Sequence, residues 1–322
     1  MDLKFGVHIE PQLGFTFNQA LAIANEAEKI GYESFWCSDH IFLNESSAEQ
    51  NCLEAWTLLS ALAADTDSIR LGTLVTCNSY RHPALLAKIA ASIDMISNGR
   101  LWFGYGAGWK EIEYNAYGYD FPKIQVRMDM MEEALEIIKL LWTEPAPSYH
   151  GTHYSIDKAF SAPKPVQKPH PPILIGGMGE TRTLRAVARY ADYCNFSLHE
   201  ELDRKLNVLK EHCKNEGRDY DELGKSLVAM GWPGVFVTED EEKLEEQWRW
   251  RSEFLNLPIE QVRERAMSIA PGSWVGYPED LLERFEYLIE LGFDFFQVMF
   301  PGLGTEYIEA SRLFSELVIR KL

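Results

Sequence analysis

The chain has 322 residues, a formal net charge of −18 and an isoelectric point near 4.9. So acidic a surface repels phosphodiester backbones and anionic lipid, which argues against nucleic acid and membranes as partners. No apolar run approaches the roughly 20 residues that span a bilayer, MDLKFGVHIE is not a secretory leader, and the five cysteines lack C-x-x-C spacing, so a cytoplasmic protein with reduced thiols is expected.

Short apolar runs alternate with amphipathic stretches along the chain. Strands are expected at Phe5–Ile9, Ser34–Cys37, Arg70–Val75, Leu101–Tyr105, Pro172–Ile175, Asp192–Phe196, Ser226–Met230 and Asp294–Phe300. Between them, helical periodicity marks Thr16–Ile30, which closes on Gly31, then Ala55–Ala64, Pro83–Ile96, Val126–Trp142, Thr181–Tyr190, Leu202–Glu216, Pro278–Leu291 and Tyr307–Leu317. Strands alternating with helices imply right-handed βαβ units, and their number implies an α/β fold of the parallel (β/α)8 TIM-barrel type, one domain over residues 1–322. An internal echo supports closure: Glu28-Lys29-Ile30-Gly31-Tyr32-Glu33-Ser34-Phe35-Trp36 resembles Ile289-Glu290-Leu291-Gly292-Phe293-Asp294-Phe295-Phe296-Gln297. Two stretches break the rhythm, residues 148–171 and the charged residues 238–272, and are expected as insertions at the C-terminal face of the barrel.

Barrel enzymes place their chemistry just beyond the strand ends. Here those positions hold His8-Ile9-Glu10, Ser38-Asp39-His40, Thr76-Cys77-Asn78, Gly106-Ala107-Gly108-Trp109, Gly176-Gly177-Met178-Gly179, Ser197, Gly231-Trp232 and Phe300-Pro301-Gly302. His40 is the candidate acid/base, because an imidazole changes charge near neutral pH; a histidine that merely closes a strand is the plain alternative. Asp39 and His40 are neighbours on a strand and point apart, so they do not form a metal site together, and no metal is expected. The run Ile173 to Thr181 is a strand entering glycines and then a helix, a geometry that suits phosphate; Thr181 offers a hydroxyl, and a simple tight turn is the alternative. Gly106 and Gly108 leave room for a flat ring or for close packing, and Trp109 and Trp232 are candidate ligand walls.

Taken in order, Phe35-Trp36-Cys37-Ser38-Asp39-His40, Leu71-Gly72-Thr73-Leu74-Val75-Thr76 with Tyr80-Arg81-His82-Pro83, Gly99-Arg100-Leu101 through Trp109, and Lys164-Pro165 through Gly177 resemble the luciferase-like flavin oxidoreductases, most of all the branch using the deazaflavin coenzyme F420. The resemblance covers nearly the whole chain. It implies a homodimer of barrels acting on a small-molecule substrate, with Asp39 and His40 at the cofactor ring and phosphate on Gly176, Gly177, Met178 and Gly179. It also implies a non-prolyl cis peptide at Thr73–Leu74, behind the ring and near Thr76. Trp109 stands where the sugar-phosphate dehydrogenases of the branch carry a carboxylate, which departs from their pattern. F420 is the implied cofactor, with FMN the alternative. The corresponding activities are hydride transfer to or from an alcohol, carbonyl or activated double bond, or oxygenation by reduced FMN; flavin binding without turnover is a third reading. Because F420 carries an acidic tail, Lys158, Lys164, Lys168 and His170 are a candidate counter-charge, or else a solvated loop.

Overall fold

Eight parallel strands close on themselves in the computed structural model, which describes residues 2–197, 201–230, 233–267 and 274–322. They are β1 (Lys4–Ile9), β2 (Ser34–Cys37), β3 (Arg70–Thr73), β4 (Leu101–Gly106), β5 (Ile173–Gly176), β6 (Tyr193–Ser197), β7 (Gly224–Ala229) and β8 (Phe295–Val298). Each pairs in parallel with its neighbours in sequence; β1 pairs with β8, and the ring closes without a free edge. The helices α1 (Phe17–Ile30), α2 (Ala55–Asp65), α3 (Pro83–Ile96), α4 (Ile124–Thr143), α5 (Thr183–Tyr190), α6 (Leu202–Asn215), α7 (Pro278–Glu290) and α8 (Thr305–Leu317) surround it.

Period-two alternation divides each strand between two cores. Phe5, Val7 and Ile9 of β1 face outward into the layer shared with the helices. Trp36, Trp102, Leu174 and Phe295 form a separate buried cluster inside the barrel. Local signals set the helix ends: a capping box between Thr16 and Gln19 starts α1, Gly31 in the left-handed region (φ 93°) ends it, and Pro83 opens α3.

The structure departs from the sequence reading in four places. The third strand is not continuous to Val75. β4 pairs Gly72 with Trp102 and then Thr76 with Tyr105, so four steps on one chain oppose three on the other, a bulge of one residue. The cis peptide lies within that bulge at Leu74–Val75, one bond later than Thr73–Leu74. A short helix, Glu111–Tyr117, follows β4 where only loop was expected.

The fourth departure concerns residues 148–171. They lie in an αβ connection, which begins and ends at the amino-terminal side of the barrel. A small hairpin (Tyr149–His150 with Ser155–Ile156) climbs the outside until Tyr154 meets His82 edge-on. The chain then returns: Lys164 Nζ donates to the carbonyls of Leu141 and Glu144 at the end of α4, and Lys168 Nζ to that of Pro165. These lysines satisfy carbonyls at the wrong end of the barrel to counter a ligand tail. Of residues 238–272, the described part to Met267 does follow the carboxyl end of β7 and forms the helices Glu241–Leu255 and Ile259–Met267; residues 268–272 lie outside the described residues.

Candidate active site

The carboxyl ends of the strands enclose a cleft in two connected halves. One, of about 160 Å³, is lined by Ser38, Asp39, His40, Thr76, Cys77, Tyr80 and Glu113. The other, of about 420 Å³, is lined by Gly106, Ile124, Met128, Gly176, Gly177, Thr183, Asn195, Ser197 and Val228 among others. Leu74, Val75, Gly108 and Trp109 belong to both, so the bulge forms the partition.

The bulge explains the glycines around it. A Cβ on Gly104 would fall 1.8 Å from the Thr73 carbonyl oxygen, and one on Gly106 would fall 2.8 Å from Val75 Cγ2. Val75 also abuts Gly176, where a Cβ would lie 3.0 Å from its Cγ1. Of the two readings the sequence left open, room for a flat ring or close packing, Gly104 and Gly106 take the second: they admit the turned backbone and Val75. Thr73 is fully buried and does not line the cleft. Its hydroxyl bonds Thr76 Oγ1 at 2.6 Å and the Gly104 carbonyl at 3.0 Å, tying the two sides of the bulge to β4.

His40 is fixed by a residue that the sequence reading missed. Glu113, in the first turn of the short helix after β4, places both carboxylate oxygens 3.0 and 3.1 Å from His40 Nδ1. It also accepts from the backbone N–H of Ile41 at 3.0 Å, from Tyr80 Oη at 2.7 Å and from Lys110 Nζ at 3.1 Å. Burial pushes the Glu113 carboxyl up, but the bonds from His40 and its other donors bring it down to about 2. Nδ1 therefore carries a proton, and Nε2 is left for the cleft that the ring lines. The only sequence signal for Glu113 was its place in the strand-end loop, because a carboxylate in Glu-Ile-Glu reads as surface.

Asp39 lines the cleft but does not offer it a free carboxylate. Arg81 holds it in a two-pronged pair (2.7 and 2.8 Å), and the Cys77 N–H donates to it at 2.9 Å. Trp109 is 71% exposed and meets the His40 ring edge-on at 5.6 Å, so it is a wall of both halves. Trp232 lies outside the described residues.

Of the glycine loop, Gly176 and Gly177 line the cleft. Gly177 has φ 121°, which only glycine adopts readily, and a Cβ there would approach Thr183 Cγ2 at 3.2 Å. Met178 packs against the main core instead, and Gly179 lies behind Thr183. Helix α5 begins two residues later than expected, so Thr183 rather than Thr181 supplies the hydroxyl at its start. The cations nearby are engaged: Arg182 by Asp129 and Glu132, Lys205 by Glu180, and Lys110 by the carbonyls of Phe42 and Leu43 as well as Glu113.

Comparison with known proteins agrees with this architecture. An F420-dependent glucose-6-phosphate dehydrogenase of Microbacterium testaceum is 28% identical, covering 99% of this chain and 97% of that one. An FMNH2-dependent dimethylsulfone monooxygenase of Pseudomonas putida is 30% identical over 58% of this chain and 50% of its own length. In fold, the chain matches an F420-dependent secondary alcohol dehydrogenase, solved with an F420-acetone adduct, at a TM-score of 0.79 and 21% identity, with 99% of each covered. The family model for luciferase-like monooxygenases matches residues 3–295, and the chain is therefore an oxidoreductase belonging to that family.

Proposed function

We propose that the protein is an F420-dependent oxidoreductase that moves a hydride between the deazaflavin and a small uncharged organic substrate, an alcohol, a carbonyl compound or an activated double bond. The observation that carries this reading is the His40–Glu113 pair beside the Leu74–Val75 bulge, in a cleft with an apolar flank. The residues present fit a flat ring with a phosphate. Val75, Met128 and Val228 line the cleft and would give the ring apolar contact, and the bare Gly177 beside Thr183 would let the backbone approach the phosphate. When bound, the cofactor supplies two-electron hydride chemistry.

The protein's own part is to bind, orient and move a proton. Glu113 holds His40 so that Nε2 can take the proton of a substrate hydroxyl, or return one to a carbonyl oxygen. Arg81 locks Asp39 and with it the segment after β2, which keeps the imidazole in register with the bulge. The Gly177 N–H is spent on the Asn195 carbonyl at 3.1 Å, so the backbone N–H groups after it, toward the start of α5, are the ones that would hold the phosphate. Sugar-phosphate oxidation fits less well, since Trp109 follows Gly108 and the neighbouring cations are engaged. Oxygenation with reduced FMN is the second reading, which the similarity to an FMNH2-dependent relative supports.

The deciding experiment titrates the purified protein with F420 and with FMN, then follows loss of deazaflavin absorbance with secondary alcohols. Tight F420 binding and alcohol-dependent reduction are expected. FMN binding alone, with oxygen uptake, would overturn the deazaflavin assignment. The family resemblance further supports a cytoplasmic homodimer, for which sedimentation should give twice the 36.9 kDa chain mass.

A further inference from the structure

A second, wholly buried His–Glu pair lies behind the His40 half of the cleft, at the end of β1. His8 is 1% exposed and Glu10 5%. His8 Nε2 bonds Glu10 Oε1 at 2.8 Å, and Gln12 Nε2 donates to Glu10 Oε2. Ser38, one of the residues that line the cleft, donates its hydroxyl toward Glu10 Oε2 at 2.7 Å and Gln12 Oε1 at 2.9 Å. Burial pushes the Glu10 carboxyl up, and the bonds from His8 and Ser38 more than reverse this, so it is ionised.

The order of donors and acceptors has a consequence for the ligand. Glu10 accepts from Gln12, which fixes the Gln12 amide with its oxygen toward Ser38. Both groups behind Ser38 are therefore acceptors, and its single proton is directed away from the cleft. What Ser38 can offer to the cleft is a lone pair. His40, with its Nδ1 proton held on Glu113, offers a second lone pair at Nε2 when neutral.

We propose that Ser38 Oγ is an acceptor-only contact, enforced by Glu10 and Gln12, that selects a ligand presenting an O–H or N–H donor to the His40 half of the cleft. The donor is either the substrate hydroxyl, which makes the alcohol the form bound best, or an N–H on the cofactor ring. The inference deepens the reading of this cleft as a redox site. It does not require turnover, because it concerns binding alone.

The test measures dissociation constants for wild type and Ser38→Ala. Cofactor binding is followed by fluorescence with F420 and FMN. Cyclohexanol and cyclohexanone are followed by ligand-observed NMR, with and without cofactor, so the Ser38 contact is read even if neither cofactor binds. If the donor is the substrate hydroxyl, Ser38→Ala should weaken cyclohexanol about tenfold and leave cyclohexanone unchanged. If the donor is on the ring, cofactor affinity should fall by a similar factor with the alcohol-to-ketone ratio unchanged. The proposal is overturned if Ser38→Ala leaves every constant within twofold of wild type, or weakens alcohol and ketone equally while sparing the cofactor.

Discussion

Glu113 determines what His40 can do. Its carboxylate is an acceptor on both oxygens, which fixes the Nδ1 proton and leaves Nε2 as the nitrogen proposed to move the proton. His40→Ala should lower turnover by about 10²–10⁴-fold while cofactor affinity changes little, as steady-state kinetics beside a fluorescence titration would show. Glu113→Gln keeps the shape but lets an amide N–H face Nδ1, so the opposite tautomer is favoured. Turnover should then fall by up to about 10⁴-fold with a small change in KM. Wild-type turnover in Glu113→Gln would remove the positioning role. His40 was legible from its place after a strand and from the motif around it. Glu113 was not, because its partner lies 73 positions away in sequence.

At the scale of elements, the bulge in β3 and the glycines facing it form one packing unit. Gly106→Ala places a methyl 2.8 Å from Val75 Cγ2, so the partition of the cleft must move. Overpacking of this kind costs about 1–3 kcal/mol, and Val75→Ala in the same chain should recover most of it. Urea denaturation of both single variants and the double variant measures that coupling; strict additivity would show that the two residues do not oppose each other. The strand–glycine–helix unit at β5 gives a second prediction. Gly177→Val puts a branched side chain at φ 121° in a loop closed by Thr183. It should weaken a phosphorylated cofactor far more than its phosphate-free analogue, whereas equal losses would point to general damage. Strand and helix positions were legible because alternation and the 3.6-residue period are local signals. The bulge was misplaced by one peptide bond, since its position depends on register with β4.

For the whole molecule, buried carboxylates govern the acid side of stability. Glu113 titrates near 2 when folded, below its ordinary value of 4.5. Its contribution is thus complete above about pH 4.5 and is lost as pH falls toward about 2. Urea midpoints taken from neutral pH down to about pH 3 should fall less steeply for Glu113→Gln than for wild type; parallel profiles would show that Glu113 is not coupled to folding. What the sequence by itself determined is the barrel, its strand and helix order, the family, and the placing of His40 at the strand-end cleft, because these rest on short-range periodicity and on motifs read in order. Only the tertiary structure decided which strand-end residues meet in the cleft. It put Glu113 on His40, turned Asp39 onto Arg81, seated Val75 against Gly106 and Gly176, replaced Thr181 with Thr183, and set Lys164 and Lys168 on carbonyls at the opposite side. The physical reason is closure: a ring of parallel strands brings side chains from distant loops within hydrogen-bond reach, and those pairings depend on register and burial rather than on sequence spacing.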